Sequence, residues 1–207
     1  MCPAVIVPST KRKVSNPLAL AVLALLLERS MHPYELAATL RQRGKSASIK
    51  LNYGSLYTVV AALQRAGFIE PRGTVRAGRR PERTVYTLTD EGRVELHDWM
   101  RELLSAPAKE YSQLEAGLAL LPVLPPDEVV PLLEERLRRL DEEITRLESL
   151  VEDRLAQGLA WLVLVESDYH LAMLRTERQW VANLARSIRE DASGVVRTWR
   201  AWHEVAR

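Results

Sequence analysis

Residues 52–93 read NYGSLYTVVAALQRAGFIEPRGTVRAGRRPERTVYTLTDEGR, and the fold turns on how this stretch is read. Leu56, Val60 and Leu63 recur at i, i+4 and i+7, which places them on one face of an amphipathic helix. At about 100° per residue the opposite face carries Ser55, Thr58, Ala61, Ala62 and Arg65. A helix face filled only for solubility would hold Glu and Lys. This one is small and polar with one cation near its end, the kind of surface a DNA major groove admits.

Gly67 closes that helix, because glycine tolerates the left-handed C-cap conformation. Phe68 to Pro71 then reads as a short strand, with Pro71 suited to a strand end or sheet edge. Thr84 to Thr89 alternates, with Tyr86 and Leu88 on one face and Val85 and Thr87 on the other. Between the strands, Arg72, Arg76, Arg79, Arg80 and Arg83 stand against the single carboxylate of Glu82. Like charges crowded into a short loop repel, so the loop is better explained as a probe of phosphates or of the minor groove. Helix, strand, basic hairpin and strand together predict a winged helix-turn-helix.

Upstream, Met1 to Ser15 reads either as a disordered terminus or as a basic DNA-contacting arm. Asn16-Pro17 predicts an N-cap followed by Pro in the first turn. The helix Leu18 to Arg29 is apolar nearly all round and belongs in the domain centre. A second helix starts at His32-Pro33 and stops at Gly44. After the hairpin, Thr89 caps a fourth helix, with Asp90 and Glu91 in its first turn and a stripe of Leu96, Trp99, Met100 and Leu103. Residues 15–105 are therefore expected to form the winged-helix domain, with Pro107 near its boundary.

The second half carries no strand pattern. Tyr111 to Leu121 reads as a short helix closed by prolines. From Val130 the apolar residues continue as Leu133, Leu137, Leu140, Ile144, Leu147 and Val151, in steps of three and four. That spacing is a coiled-coil-like seam, and it predicts a helical dimerisation domain over residues 108–190 in which Leu133 to Val151 meet a second subunit. Gly158 breaks this helix, and Leu159 to Arg189 makes another with Trp161, Val165, Tyr169, Ala172 and Trp180 near one side. Residues 191–207 are left as a C-terminal tail.

Composition narrows the function classes. Residues 1–104 carry 16 Lys and Arg against 9 Asp and Glu, a formal +7, and residues 105–207 carry 13 against 18, a formal −5. Only the first half suits a polyanion. The longest apolar run, Pro17 to Leu27, is 11 residues, short of the ~20 a membrane span needs. The basic cluster at residues 11–13 follows the short apolar segment rather than leading it, unlike a signal peptide. A lone Cys2 excludes an internal disulfide framework and suits a reducing cytoplasm, with the protein on the nucleoid when DNA-bound. The four histidines show no metal-ligand spacing with one another or with Cys2, so no metal and no cofactor is expected. No phosphate loop, nucleophile elbow or acid/base pair appears, which argues against an enzyme.

In combination, HPYEL at His32 to Leu36, GSLYTVVAALQRAGFIE at Gly54 to Glu70 and GRRPERTVYTLTDEGR at Gly78 to Arg93 resemble the PadR family of bacterial transcriptional regulators. LPPDEVVPLLEERLRRLDEEI and VESDYHLAMLRTERQW in the second half look like the helical C-terminal domain of its longer members. The resemblance implies a homodimeric repressor on a palindromic operator of double-stranded DNA. It also implies that some members release DNA on binding a small aromatic or drug-like effector.

The candidate DNA-binding residues are therefore Tyr53, Ser55, Tyr57, Thr58 and Arg65 around the recognition helix, with Arg72, Arg76, Arg79, Arg80 and Arg83 in the wing. Hydroxyls and Arg can bond phosphates or base edges there, and Tyr57 stands between packing and DNA contact. Trp99, Trp161 and Trp180 either line an aromatic effector pocket or anchor helix packing. The alternative function is a winged-helix protein-interaction module without sequence-specific DNA binding; the five wing arginines favour DNA.

Overall fold

The computed structural model describes residues 12–45, 48–49, 52–75 and 83–205. The chain divides into two compact units, Met1–Lys109 and Glu110–Arg207.

In the first unit, Asn16 caps α1 (Pro17–Glu28), its Oδ1 accepting from the Leu18 amide at 2.9 Å. The helix buries Leu18, Ala19, Val22, Leu23, Leu25 and Leu26, as expected of a segment apolar on every side. His32 caps α2 (Pro33–Gln42) through Nδ1, which accepts from the Tyr34 amide at 3.0 Å, while the Glu35 carboxylate accepts from the His32 amide. This reciprocal pair is a capping box with imidazole in the usual Ser/Thr role. Leu56, Val59, Val60 and Leu63 of α3 (Tyr53–Arg65) join the α1 and α2 residues in one core with Phe68, Ile69, Leu96 and Trp99.

The wing consists of β1 (Ile69–Val75) antiparallel to β2 (Arg83–Leu88), starting from the pair Ile69 and Leu88. Pro71 does not end β1, as the sequence suggested it might. Tyr86 gives its N–H and its carbonyl to Met31, at 3.0 and 3.1 Å, so the Tyr86–Pro71 pair exchanges no ladder bonds. The missing proline N–H therefore costs nothing. One residue later Arg72 forms a bulge, and pairing resumes at Gly73 opposite Val85.

Thr89 joins the wing to α4 (Asp90–Ser105) by three bonds. Its hydroxyl accepts from the Gly92 amide at 3.0 Å and donates to the Gly67 carbonyl at 2.7 Å, and its amide donates to the Phe68 carbonyl at 3.1 Å. The first turn of α4 is thus pulled against the start of β1, and a Cβ on Gly92 would lie 2.0 Å from the Phe68 carbonyl oxygen.

Of the arm before α1, residues 12–16 are described, and Arg12 packs back onto its own domain. Arg12 lies along α4, its Nη1 2.5 Å from Glu95 Oε1 and its Nη2 paired with Glu102, with the guanidinium carbon 5.4 Å from the Trp99 ring centre. Glu95, Trp99 and Glu102 are spaced i, i+4 and i+7 and share one helix face. Burial opposes the Arg12 charge, but the hydrogen bonds it donates to Glu95 and Glu102 outweigh it and hold its pKa above the ordinary value. Arg12→Met keeps the aliphatic stem and removes the charge. We expect it to cost about 1.5–3 kcal/mol in urea denaturation, the scale of charge-assisted hydrogen bonds, and to leave the salt dependence of DNA binding unchanged.

In the second unit, α5 is short (Gln113–Ala119), capped by the Ser112 hydroxyl, and a 3-10 turn (Leu121–Val123) follows. The long α6 (Pro126–Ala156) runs antiparallel to α7 (Val165–Glu190), with a 3-10 turn at Trp161–Val163 between them. Here the structure departs from the sequence reading. Leu133 is buried with Val181, Ala185 and Ile188, and Ile144 and Leu147 with Leu171, all of the same chain; Leu140 is buried as well, and Leu137 and Val151 pack at the margins. The seam expected to meet a second subunit is used inside this one. Ion pairs Arg178–Asp141, Arg136–Glu177 and Arg175–Glu148 run alongside it and link α6 to α7.

The stripe picked out on the following helix faces outward instead: Trp161, Val165, Tyr169, Ala172 and Trp180 are all exposed. Nor are residues 191–207 only a tail. They include α8 (Val195–Val205), which places Val196 and Trp199 against the α6–α7 cluster. Arg200 grips Asp127 at 2.7 and 3.0 Å, and the His203 ring nitrogen lies 2.9 Å from the Pro122 carbonyl.

Candidate nucleic-acid interface

Asn52 starts α3 by accepting from the Ser55 amide at 2.6 Å, and Gly67 ends it at φ +81°, where the Phe68 amide turns back to the Leu63 carbonyl. With four apolar residues buried, the helix presents Gly54, Tyr57, Thr58, Ala61, Gln64 and Arg65 to solvent. Tyr57 is 52% exposed, which places it on the outer face rather than in the core. Ser55 is half-buried at the flank. Thr58 is exposed, and its hydroxyl donates to the Gly54 carbonyl at 3.0 Å. Tyr53 occupies the first helical position. Gln64 was missed by sequence reasoning, although its amide can make paired bonds to adenine. Its position on the flank, beside the buried Val60 and Leu63, hid it from an argument based on the face opposite the core.

In the wing, Arg72 stands exposed at the bulge, its Nη1 3.4 Å from Ser30 Oγ. The bulge thus turns this guanidinium toward the α1–α2 turn. Arg83 opens β2 opposite Val75. Arg76, Arg79 and Arg80 lie outside the described residues.

The charge on this face is sorted by pairing. Arg43, at the end of α2, is held by both carboxylate oxygens of Glu28, at 2.5 and 2.7 Å, and Arg29 pairs with Glu35 at 3.2 Å. Arg43 holds the Glu28 carboxyl below its usual range, and the His32 amide, then Arg29, does the same for Glu35. Among the described residues no carboxylate pairs with Arg65 or Arg72, so their charge is available to a polyanion.

The remaining sequence candidates separate. Trp99 is 5% exposed within the first unit's core, where its face is occupied by Arg12, so it is a packing residue and not an open pocket wall. Trp161 and Trp180 are 69% and 48% exposed on the second unit. Among the described residues no cluster of His, Cys, Asp and Glu could hold a metal ion, and no helix is long and apolar enough to cross a membrane.

Residues 22–98, from α1 into α4, match the transcriptional regulator PadR-like family. The first unit therefore carries a PadR-like domain. The negative transcriptional regulator PadR of Bacillus subtilis (strain 168) is 26% identical over 139 residues, 67% of this chain and 75% of the relative. The crystal structure of Bacillus subtilis PadR in complex with operator DNA superposes with a TM-score of 0.65 at 22% identity, covering 84% of this chain and 99% of that one. The same protein in complex with p-coumaric acid gives 0.64 at 20% identity, covering 83% and 98%. Both likenesses extend beyond the PadR-matched residues, so the chain shares that protein's helical C-terminal fold as well as its winged helix.

Proposed function

We propose that this chain is a homodimeric PadR-like repressor that lays α3 of each subunit in a major groove of a palindromic operator and releases it on binding a small aromatic ligand. One observation carries the DNA reading: the solvent face of α3 has no carboxylate and is followed in sequence by a segment, residues 72–83, with five arginines. Repression and release are suggested by the Bacillus subtilis relative, which is named a negative regulator and has been solved with operator DNA and with p-coumaric acid.

The dimer rests on a surface different from the seam expected at first. With Leu133 to Val151 engaged inside the chain, the exposed apolar groups offered to a second copy include a set on the outer side of α7 and its elbow, Trp161, Leu162, Tyr169, Met173 and Trp180. Aromatic and Met side chains are enriched at interfaces of that kind. The same two tryptophans are the remaining candidates for stacking on a planar effector, Trp99 being sequestered. A ligand releases DNA only if it favours a dimer geometry in which the two α3 helices no longer match successive grooves.

The wing provides the test. Arg79→Ala with Arg80→Ala should weaken binding to operator and to random duplex by similar factors. It should also reduce the slope of log K against log[salt] by roughly 0.9 per lost phosphate contact. An unchanged slope would remove the wing from the interface and favour the protein-docking alternative.

A further inference from the structure

On the exposed face of α3, one residue has no explanation within the fold. Gly54 lies in the first turn of a helix, where glycine is less favourable than alanine. The protein does not need the missing side chain: a Cβ there would meet only Asn52 Oδ1, at an ordinary 3.7 Å. Nor is the backbone left-handed at this position. One turn on, Thr58 has given its hydroxyl proton to the Gly54 carbonyl. With its one hydroxyl hydrogen engaged inside the helix, Thr58 does not donate outward in this geometry, and the γ-methyl is the apolar group it offers. Ala61, three residues further, adds a second exposed methyl. At helical spacing Gly54, Thr58, Ala61 and Arg65 form one line, the middle of which is apolar and slim.

Resting on the DNA-binding function proposed above, we infer that this line reads thymine by its C5-methyl group. Gly54 lets the helix backbone approach the groove floor, and the methyls of Thr58 and Ala61 pack on thymine methyls. Thymine is the one base that offers a methyl in the major groove, and Ala and the Thr methyl are its apolar partners. Arg65, at the far end of the line, is left for guanine or phosphate. The chemical class recognised is thus a half-site with thymines at the positions facing Thr58 and Ala61.

The test uses the full-length protein and a duplex it enriches from a random-sequence library. Each thymine of the half-site is replaced singly by uracil, which lacks only the methyl group. At one or two positions per half-site the affinity should fall about fourfold per methyl removed, the scale of burying one methyl-sized group. Thr58→Ser, which keeps the hydroxyl and loses the methyl, should abolish the thymine–uracil difference at one of these positions. Thr58→Val, which keeps the methyl and loses the hydroxyl, should retain it. Gly54→Ala should leave the melting temperature unchanged or raise it while weakening binding at least tenfold. Uracil tolerated at every position would overturn the inference, and so would a thymine preference that survives Thr58→Ser and is lost in Thr58→Val. If no duplex is enriched, the DNA-binding function itself fails, an outcome distinct from a duplex bound without regard to methyls.

Discussion

A chain ending at Lys109 is expected to bind a two-half-site operator about 10²–10⁴-fold more weakly than the full-length protein, because linkage of two modules supplies avidity of that order. The first unit has its own core, from Leu18 to Trp99, and its helices are capped by its own residues, Asn16, His32, Asn52 and Thr89. The fragment should therefore fold and bind a single half-site as a monomer. What it loses is the second unit, which holds the exposed aromatic surface offered to a partner. Sedimentation of the fragment and the full chain, combined with titration of one- and two-half-site duplexes, checks this. A fragment that binds the two-half-site duplex with parent affinity would remove the dimer role from residues 110–207.

Gly92→Ala should be the most damaging conservative change in the first unit, at about 3 kcal/mol, the upper range for overpacking a tight site. The added Cβ would sit 2.0 Å from the Phe68 carbonyl oxygen and 2.9 Å from a Leu88 methyl. The colliding oxygen is backbone and already accepts from the Thr89 amide, so it cannot simply turn away. Relief requires α4 to lift from β1, which breaks the Thr89 cap and disturbs the base of the wing. Urea denaturation should show the loss, with Gly117→Ala as the control, since nothing lies within 4 Å of a Cβ there. Equal midpoints for Gly92→Ala and the parent would show that the cap does not hold the wing to α4.

The first unit was more legible in sequence than the second, and the reason is physical. Its signals are local: Asn16, Asn52 and Thr89 cap the helices they precede, Gly67 ends a helix at positive φ, and strand alternation sets the faces of the wing. Each is decided within a few residues by backbone chemistry. Pro71 was ambiguous because its cost depends on whether its pair exchanges ladder bonds, which is decided by Met31, forty residues earlier.

In the second unit the 3-4 seam of α6 was visible, but periodicity does not say which helix fills it. The partner proved to be α7, through Leu171, Val181, Ala185 and Ile188. Those aliphatic residues were overlooked because the larger Trp161, Tyr169 and Trp180 marked a different and more conspicuous stripe. α8 was missed for a related reason: its anchors, Asp127 and Pro122, are about seventy to eighty residues distant. Of the candidate site, the recognition face could be derived from spacing alone. That the Thr58 hydroxyl is bonded to Gly54, and that Arg72 is turned toward Ser30, could not.

If two copies of α3 read a symmetric operator, a hydroxyl-radical footprint of the full-length protein on the DNA upstream of its own gene should show two protected segments related by a dyad, with half-site centres one helical turn apart, about 10–10.5 base pairs, or a multiple of it. Uniform protection without a dyad, or none even at low salt, would contradict the symmetric reading.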